Sequence, residues 1–174
     1  MAVSRFNPDY PDAGLTLLNK TTFTGVGSVS IDNVFSSTYD NYRILMKGVG
    51  STIMSPGFRL RSGGSDNATA NSYVYQRVIF DNTTSSLARG SDTKGDFASF
   101  NTTLLNSAYF DIFDPFLASA TSYYSQNCSS QDGARMRFYT GTHNQTVSYD
   151  GISILASTGT MTGTIYIYGY KDEV

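Results

Sequence analysis

The side chains that most often act as bases, nucleophiles or metal ligands are scarce in this chain. His143 is the single histidine, and its neighbours Gly141, Thr142 and Asn144 predict an exposed hairpin tip, not a base beside a nucleophile. Cys128 is the single cysteine, so it can form no intrachain disulfide, and we expect a small buried or half-buried side chain there.

Aspartates offer the next possible chemistry, because glycoside cleavage needs two carboxyl groups close together, one of them with a raised pKa. Asp111 and Asp114 lie at the end of a predicted strand, and Asp92 and Asp96 lie in a loop that contains glycine. Neither pair has the apolar sequence surroundings that raise a carboxyl pKa, and aspartate is common in turns. We therefore expect no catalytic residues, and a hydrolase is the least favoured function.

Two oxygen-rich loops, residues 62–71 and 91–96, leave calcium binding open, although neither has EF-hand or RTX spacing. Gly63 and Gly64 precede no predicted helix, which excludes a phosphate-binding loop. The sequence therefore predicts no cofactor and no metal.

Two arginine pairs are each predicted to share one face of a strand: Arg59 with Arg61, and Arg135 with Arg137. The simpler interpretation is that they lie on the solvated face of a half-buried strand. The alternative is that they meet a carboxylate-bearing partner or an acidic glycan.

Tyrosine is the most abundant aromatic residue, with 13 copies beside 11 Phe and no Trp. Ten tyrosines fall in or near predicted strands, at positions 73, 75, 109, 123, 124, 139, 149, 166, 168 and 170. Because tyrosine combines a large apolar area with a polar tip, it suits a core, a subunit interface or a glycan platform. All three interpretations stay open, and the absence of tryptophan weakens the last.

The composition sets the elements that must position these residues. In 174 residues, 16 are glycine and only one of the 14 acidic residues is glutamate, so strong helix formers are scarce. Net charge is -2, which gives no reason to expect nucleic acid or an anionic membrane surface as a partner. The N-terminus has no apolar stretch typical of a signal peptide, so we expect synthesis in a cytoplasm.

Strand patterns recur at short spacing along the chain and predict an all-β fold. They fall at residues 15–24, 29–31, 42–49, 57–61, 73–81, 87–94, 97–105, 107–113, 121–128, 134–140, 147–155 and 160–170. We expect eight to ten of these to form an antiparallel, jelly-roll-like β-sandwich over residues 15–174. Residues 1–14, with two prolines, predict an extended N-terminal arm.

The final strand is apolar or aromatic on both faces. Side chains alternate along a strand, so Ile165 and Ile167 point one way and Tyr166, Tyr168 and Tyr170 the other. Both faces therefore need cover. We expect the opposing sheet on the isoleucines, and a neighbouring subunit or the arm on the tyrosines. The predicted interface residues are Phe6, Tyr10, Tyr166, Tyr168 and Tyr170.

Two segments resemble a widespread group of tailed-bacteriophage virion proteins. FTGVGSVSI at 23–31 with NVFSSTYDNYRI at 33–44 resembles the opening of their β-domain, and GTMTGTIYIYGYK at 159–171 is similar to its closing strand. The resemblance implies a non-enzymatic virion structural protein. The group has no shared catalytic residues, and this chain lacks the stalk of a long fibre.

The absence of a stalk favours a capsid decoration (cement) protein or a similar surface module, assembled as a homotrimer on a major capsid or tail protein. The alternative is a tail-fibre or receptor-binding tip that recognises a host surface glycan through the tyrosines and the loop at 62–71.

Overall fold

Every regular element in the described part of the chain is a β-strand. The computed structural model describes residues 14–81, 83–103, 105–129 and 135–171. The strands are β1 (Gly14–Val26), β2 (Ser28–Ile31), β3 (Asn41–Gly50), β4 (Gly57–Ser62), β5 (Ser65–Asp66), β6 (Tyr73–Asp81), β7 (Thr84–Asp92), β8 (Gly95–Asp96), β9 (Asn106–Phe113), β10 (Thr121–Ser129), β11 (Arg135–His143), β12 (Gly151–Leu155) and β13 (Met161–Lys171). The described residues thus form thirteen strands where eight to ten were predicted. Two of the additional strands, β5 and β8, have only two residues each and are too short to carry an alternating pattern.

The strands form two antiparallel sheets that pack face to face. The large sheet has eight strands in the order β1-β13-β3-β9-β10-β11-β6-β7. The small sheet has the order β2-β12-β4-β5, and β8 also pairs with β4. The predicted all-β antiparallel sandwich is therefore confirmed. The two layers are unequal, with eight strands in one sheet and five in the other, whereas a jelly roll has eight strands in total.

Alternation along the strands builds the core between the sheets. Tyr42, Ile44 and Met46 of β3 are buried, and the residues between them are more exposed. From the small sheet, the Phe58 ring stacks on Phe110 of the large sheet with centroids 5.2 Å apart. Aromatic and aliphatic side chains from both sheets thus share one hydrophobic core.

The final strand, β13, follows its prediction closely. Ile165 and Ile167 are fully buried against the opposing sheet, and the alternating tyrosines point to the other face, where they are half-buried. Gly169 continues the inward row and leaves room for a ring, since a Cβ there would lie 2.5 Å from carbons of Tyr39.

Two sequence expectations differ from the structure, and a third is not tested by the described residues. Residues 97–103, within a predicted strand, form only one β-bridge, from Phe100 to Met54, although Phe97 and Phe100 are buried. Hydrophobic residues there fill the core without a regular ladder. Gly14, assigned to the arm, is the first residue of β1, and the rest of the predicted arm lies outside the described residues.

Candidate functional site

The outer face of the large sheet, which we call the aromatic face, is the candidate site. The strand register aligns side chains of all eight strands into rows across it. One row is Lys20, Tyr166, Leu45, Tyr109, Gln126, Phe138, Val78 and Leu87. The next row is Leu17, Tyr168, Arg43, Asp111, Tyr124, Thr140, Gln76 and Arg89. A sheet face in water is normally polar, so this composition is unusual.

An ion pair lies at the centre of the aromatic face. Arg43 donates to both carboxylate oxygens of Asp111, from Nε at 2.8 Å and from Nη2 at 2.7 Å. The Tyr170 hydroxyl donates to the same carboxylate at 3.0 Å, and the guanidinium lies 5.2 Å from the ring centroid of Tyr109. Asp111 is only 3% exposed although it points away from the core. Tyrosine rings and the arginine therefore bury this carboxylate.

The pKa values of these groups reflect the buried pair. The bidentate hydrogen bonds to Asp111 raise the pKa of Arg43, so the guanidinium stays charged. Burial, and then the neighbouring Asp111 carboxylate, raise the pKa of Tyr170 to about 12. Tyr170 is consequently a neutral hydrogen-bond donor, and the two opposite charges cancel within the face.

The other aromatic side chains of this face are also held in place. The Tyr109 hydroxyl donates to Gln126 Oε1 at 2.7 Å, and the Tyr109 ring meets that of Tyr124 edge-on at 6.2 Å. Lys20 Nζ lies 5.6 Å from the centroid of the Tyr166 ring. Such contacts order the rings before any partner arrives, which lowers the entropic cost of binding.

A concavity of 590 Å³ lies between these rings. Its lining includes Leu45, Lys47, Tyr109, Gln126, Tyr166 and Tyr168. Cys128 also lines it and is exposed, so the prediction of a buried or half-buried thiol is wrong. Strand alternation places Cys128 on the outer face with Gln126, whereas the prediction relied on the usual burial of cysteine.

Large apolar side chains elsewhere on the aromatic face lie open to solvent. The exposed ones on the aromatic face are Leu15, Leu17, Phe80, Leu87, Phe113 and Met136. Leu87 is 80% exposed. Single exposed apolar residues are ordinary, but a set that shares one sheet face with half-buried tyrosines is typical of an interaction surface.

The outer face of the small sheet, which we call the polar face, has the opposite chemistry. It carries Ser28, Ser30, Arg59, Arg61, Asp66 and Ser153. Arg61 is only 9% exposed and donates from Nε to Asp32 at 2.6 Å and from Nη1 to Asp66 and to Ser153. The prediction that Arg59 and Arg61 share a strand face is confirmed, but Arg61 is buried in a hydrogen-bond network that satisfies it, not solvated.

One carboxylate in each loop that could bind calcium already forms an ion pair. Asp66 pairs with Arg61, and Asp96 pairs with Lys94. Over the described ranges, no three His, Cys, Asp or Glu side chains come together as metal ligands. Asp111 and Asp114 have separate roles. Asp111 forms an ion pair with Arg43, whereas Asp114 directly follows β9 and has a positive φ of 53°.

His143 is fully buried, so the prediction of an exposed hairpin tip is wrong. Its strand β11 continues to residue 143, and its ring stacks on Tyr73 with centroids 4.1 Å apart. Nε2 shares a hydrogen bond of 2.7 Å with the Tyr149 hydroxyl, which accepts from Asn67 Nδ2 at 2.8 Å. Burial lowers the pKa of His143 to about 4, so the imidazole is neutral at physiological pH.

The structure separates core tyrosines from tyrosines on the outer face, a distinction that the sequence alone left open. Four of them, Tyr73, Tyr123, Tyr139 and Tyr149, are core residues. Five lie on the aromatic face: Tyr109, Tyr124, Tyr166, Tyr168 and Tyr170. The predicted interface residues Phe6 and Tyr10 lie outside the described residues. The loop at 62–71 follows β4 of the small sheet, so it does not form one site with the outer tyrosines.

Comparisons with known proteins add little to this geometry. No protein-family model matches the chain, and no curated protein sequence matches it. Among solved structures, the binding domain of botulinum neurotoxin serotype G is similar over 94% of this chain and 45% of that chain, at 12% identity and a TM-score of 0.22. The chain thus spans less than half of that structure, and a likeness this low carries no argument. The described part of the chain contains no helix that could cross a membrane.

Proposed function

We propose that this protein is a non-enzymatic structural protein of a tailed-phage virion, a capsid decoration protein or similar surface module, docked by its aromatic face on a neighbouring virion protein. The observation that carries the proposal is the aromatic face itself, where half-buried tyrosines and exposed leucines stand in place of the usual polar outer residues. The resemblance of residues 23–44 and 159–171 to virion β-domains supplies the virion context.

The chemistry of the partner follows from the charges of this face. Arg43 and Asp111 neutralise each other through two hydrogen bonds, so this pair adds no net charge to the face. The matching surface is therefore apolar, with a few hydrogen-bond acceptors for tyrosine hydroxyls. Burial there contributes roughly 25 cal/mol per Å² of apolar area. Many copies on a symmetric shell, each a homotrimer in our proposal, would add avidity to a modest single contact.

Docking is tested by placing a charge on each outer face in turn. In the double variant Tyr166→Glu with Tyr168→Glu, we expect at least a tenfold loss of binding to particles that lack the protein, measured by co-sedimentation. The matched control is Ser28→Glu on the polar face, which should bind like the wild type because Ser28 is exposed and outside the network. Equal binding by all three proteins, or loss only in the control, would overturn the proposal.

The arm is tested separately by deleting residues 1–13, which lie outside the described sandwich. A folded truncation that binds particles as well as the full chain would contradict a role for Phe6 and Tyr10 in attachment.

The second candidate is a receptor-binding module for a host glycan. The observation that favours it is the 590 Å³ concavity, which combines tyrosine rings with Gln126 and Lys47. In this case the isolated protein should bind host cells, a soluble sugar should compete, and Gln126→Ala should abolish the binding. Cell binding without sugar competition would count against this candidate.

A further inference from the structure

Arginines gather on the inner side of the large sheet, at an end that the small sheet leaves partly open. Tyr139 of β11 is opposite Arg77 of β6, and Arg137 is opposite Ile79. Since side chains alternate, Arg77, Arg137 and Tyr139 share one face, and Arg135 follows on the same face two residues from Arg137. Tyr139 is buried, whereas the arginines and Ile79 are half-exposed. The cluster therefore lies at the margin of the core, within reach of solvent.

Two of these arginines carry hydrogen-bond donors that nothing in the described chain accepts. The Nε atoms of Arg77 and Arg137 are both buried and both lack a hydrogen-bond partner. Neither guanidinium forms one of the ion pairs of the described residues, which use Arg43, Arg59, Arg61 and Lys94. A buried N–H group without an acceptor is unfavourable, so two of them on neighbouring side chains call for an acceptor.

Asp96 of β8, the strand that packs beside β6 and β11, does not neutralise the cluster. Burial raises the pKa of Tyr139, the neighbouring Arg137 lowers it, and the charges of Asp96 and Arg77 raise and lower it in turn. Asp96 is itself paired with Lys94. Among the described side chains, Arg77 and Arg137 thus have no carboxylate paired with them, and in their partly desolvated setting an added anion interacts more strongly than in water.

We propose that Arg77 and Arg137 form a binding site for an oxyanion, a carboxylate or a phosphate group. A guanidinium is a planar fork of N–H donors that fits two oxygens of such a group at once. Two guanidiniums beside a tyrosine hydroxyl offer several donors to one anion. The site faces away from the aromatic face, so it is independent of the docking proposed above.

The test is a titration of the full chain followed by NMR at the arginine Nε–H resonances, with inorganic phosphate in one series and glucuronate in the other. We expect saturable shifts at Arg77 and Arg137. The series that saturates at the lower concentration identifies the chemical source, phosphate or carboxylate. Absence of saturable shifts in both series, well above millimolar concentration, would overturn the proposal.

Variants separate a built site from general charge attraction. Arg77→Gln and Arg137→Gln should each weaken binding at least tenfold, and Arg137→Lys, which keeps the charge but loses the fork, should also weaken it. The matched control is Arg89→Gln, an exposed arginine of β7 on the aromatic face, which should bind like the wild type. Equal losses in Arg89→Gln and Arg77→Gln would contradict a specific site. Far-UV circular dichroism of each variant checks the fold.

Discussion

The two outer faces of this sandwich follow the same alternating pattern and carry opposite chemistry. On the polar face, serines and aspartates surround Arg61 and meet water in the ordinary way. On the aromatic face, tyrosine rings surround a carboxylate, Asp111, and exclude water from it. One face is complete as it stands, and the other presents ordered apolar area without cover. This difference supports the proposed interaction surface better than any single residue does.

Each outer face also buries one charged side chain, and the two charges have opposite sign. Arg61 is buried among acids that reach solvent, whereas Asp111 is buried beneath an arginine that reaches solvent. The network of Arg61 joins β4, β5 and β12, so it holds the small sheet together. The pair on the aromatic face joins β3 and β9 and orders the tyrosines around it. We therefore expect damage to the first to affect stability and damage to the second to affect recognition.

The largest expected effect is on the polar face. Arg61→Ala would leave the Asp66 carboxylate and the Ser153 hydroxyl without their main donor, at a cost of about 3–5 kcal/mol in the free energy of unfolding. Urea denaturation measures it. The control is Arg59→Ala, a more exposed arginine bonded to Thr93, which should cost less than about 1 kcal/mol. Equal losses in both variants would contradict the network.

Acid should lower the stability of the fold through the buried His143. The pKa of His143 is lowered to about 4 in the folded protein, from 6.5 in the unfolded chain, so only the unfolded chain takes up a proton as pH falls through this interval. Stability is therefore complete above pH 6.5 and is lost toward pH 4, by about 3 kcal/mol in total. Unfolding free energies between pH 7 and 5, above most carboxyl titrations, measure this slope.

The control for the acid effect is His143→Phe, which keeps an aromatic ring beside Tyr73 and removes the titrating group. Its stability should change less with pH over the same interval. A wild-type slope equal to that of the variant would show that His143 is not the group responsible.

A smaller effect is expected on the aromatic face. Asp111→Asn removes the ion pair with Arg43 and should cost about 1–3 kcal/mol, with part of the loss recovered because Arg43 can reach water. Spectrophotometric titration should show the pKa of Tyr170 falling from about 12, because the neighbouring carboxylate helps to raise it. An unchanged tyrosine titration would show that Asp111 does not act on Tyr170.

The smallest effect on stability should come from the residues with the largest proposed role in binding. Leu87→Gln and Tyr168→Gln change side chains on the outer surface, and we expect the unfolding free energy to change by no more than about 0.5–1 kcal/mol. Particle binding should fall for both. A loss of stability above that range, with binding intact, would mean that the aromatic face serves the fold and not a partner.

Most of the longer strands and the two faces of β13 could be predicted from alternation alone, because burial of Ile165 and Ile167 follows from a local period of two. The partners of single residues could not. His143 is buried because Tyr73, 70 positions away in the sequence, stacks on it, and no local pattern reports that pairing. Similarly, the acids that pair with Arg61 come from other elements, because Asp32 directly follows β2 and Asp66 lies in β5. Alternation with Gln126 predicts the exposed position of Cys128, whereas the general preference of cysteine for burial does not.

The central claim is that the aromatic face is covered by a neighbouring protein in the assembled particle. Electron cryomicroscopy of an intact particle that carries this protein tests it most directly, because the map shows which sheet faces its neighbour. The account predicts density packed against Tyr166, Tyr168 and Tyr170, with the serines of the polar face in solvent. Solvent-exposed tyrosines beside a covered polar face would contradict it.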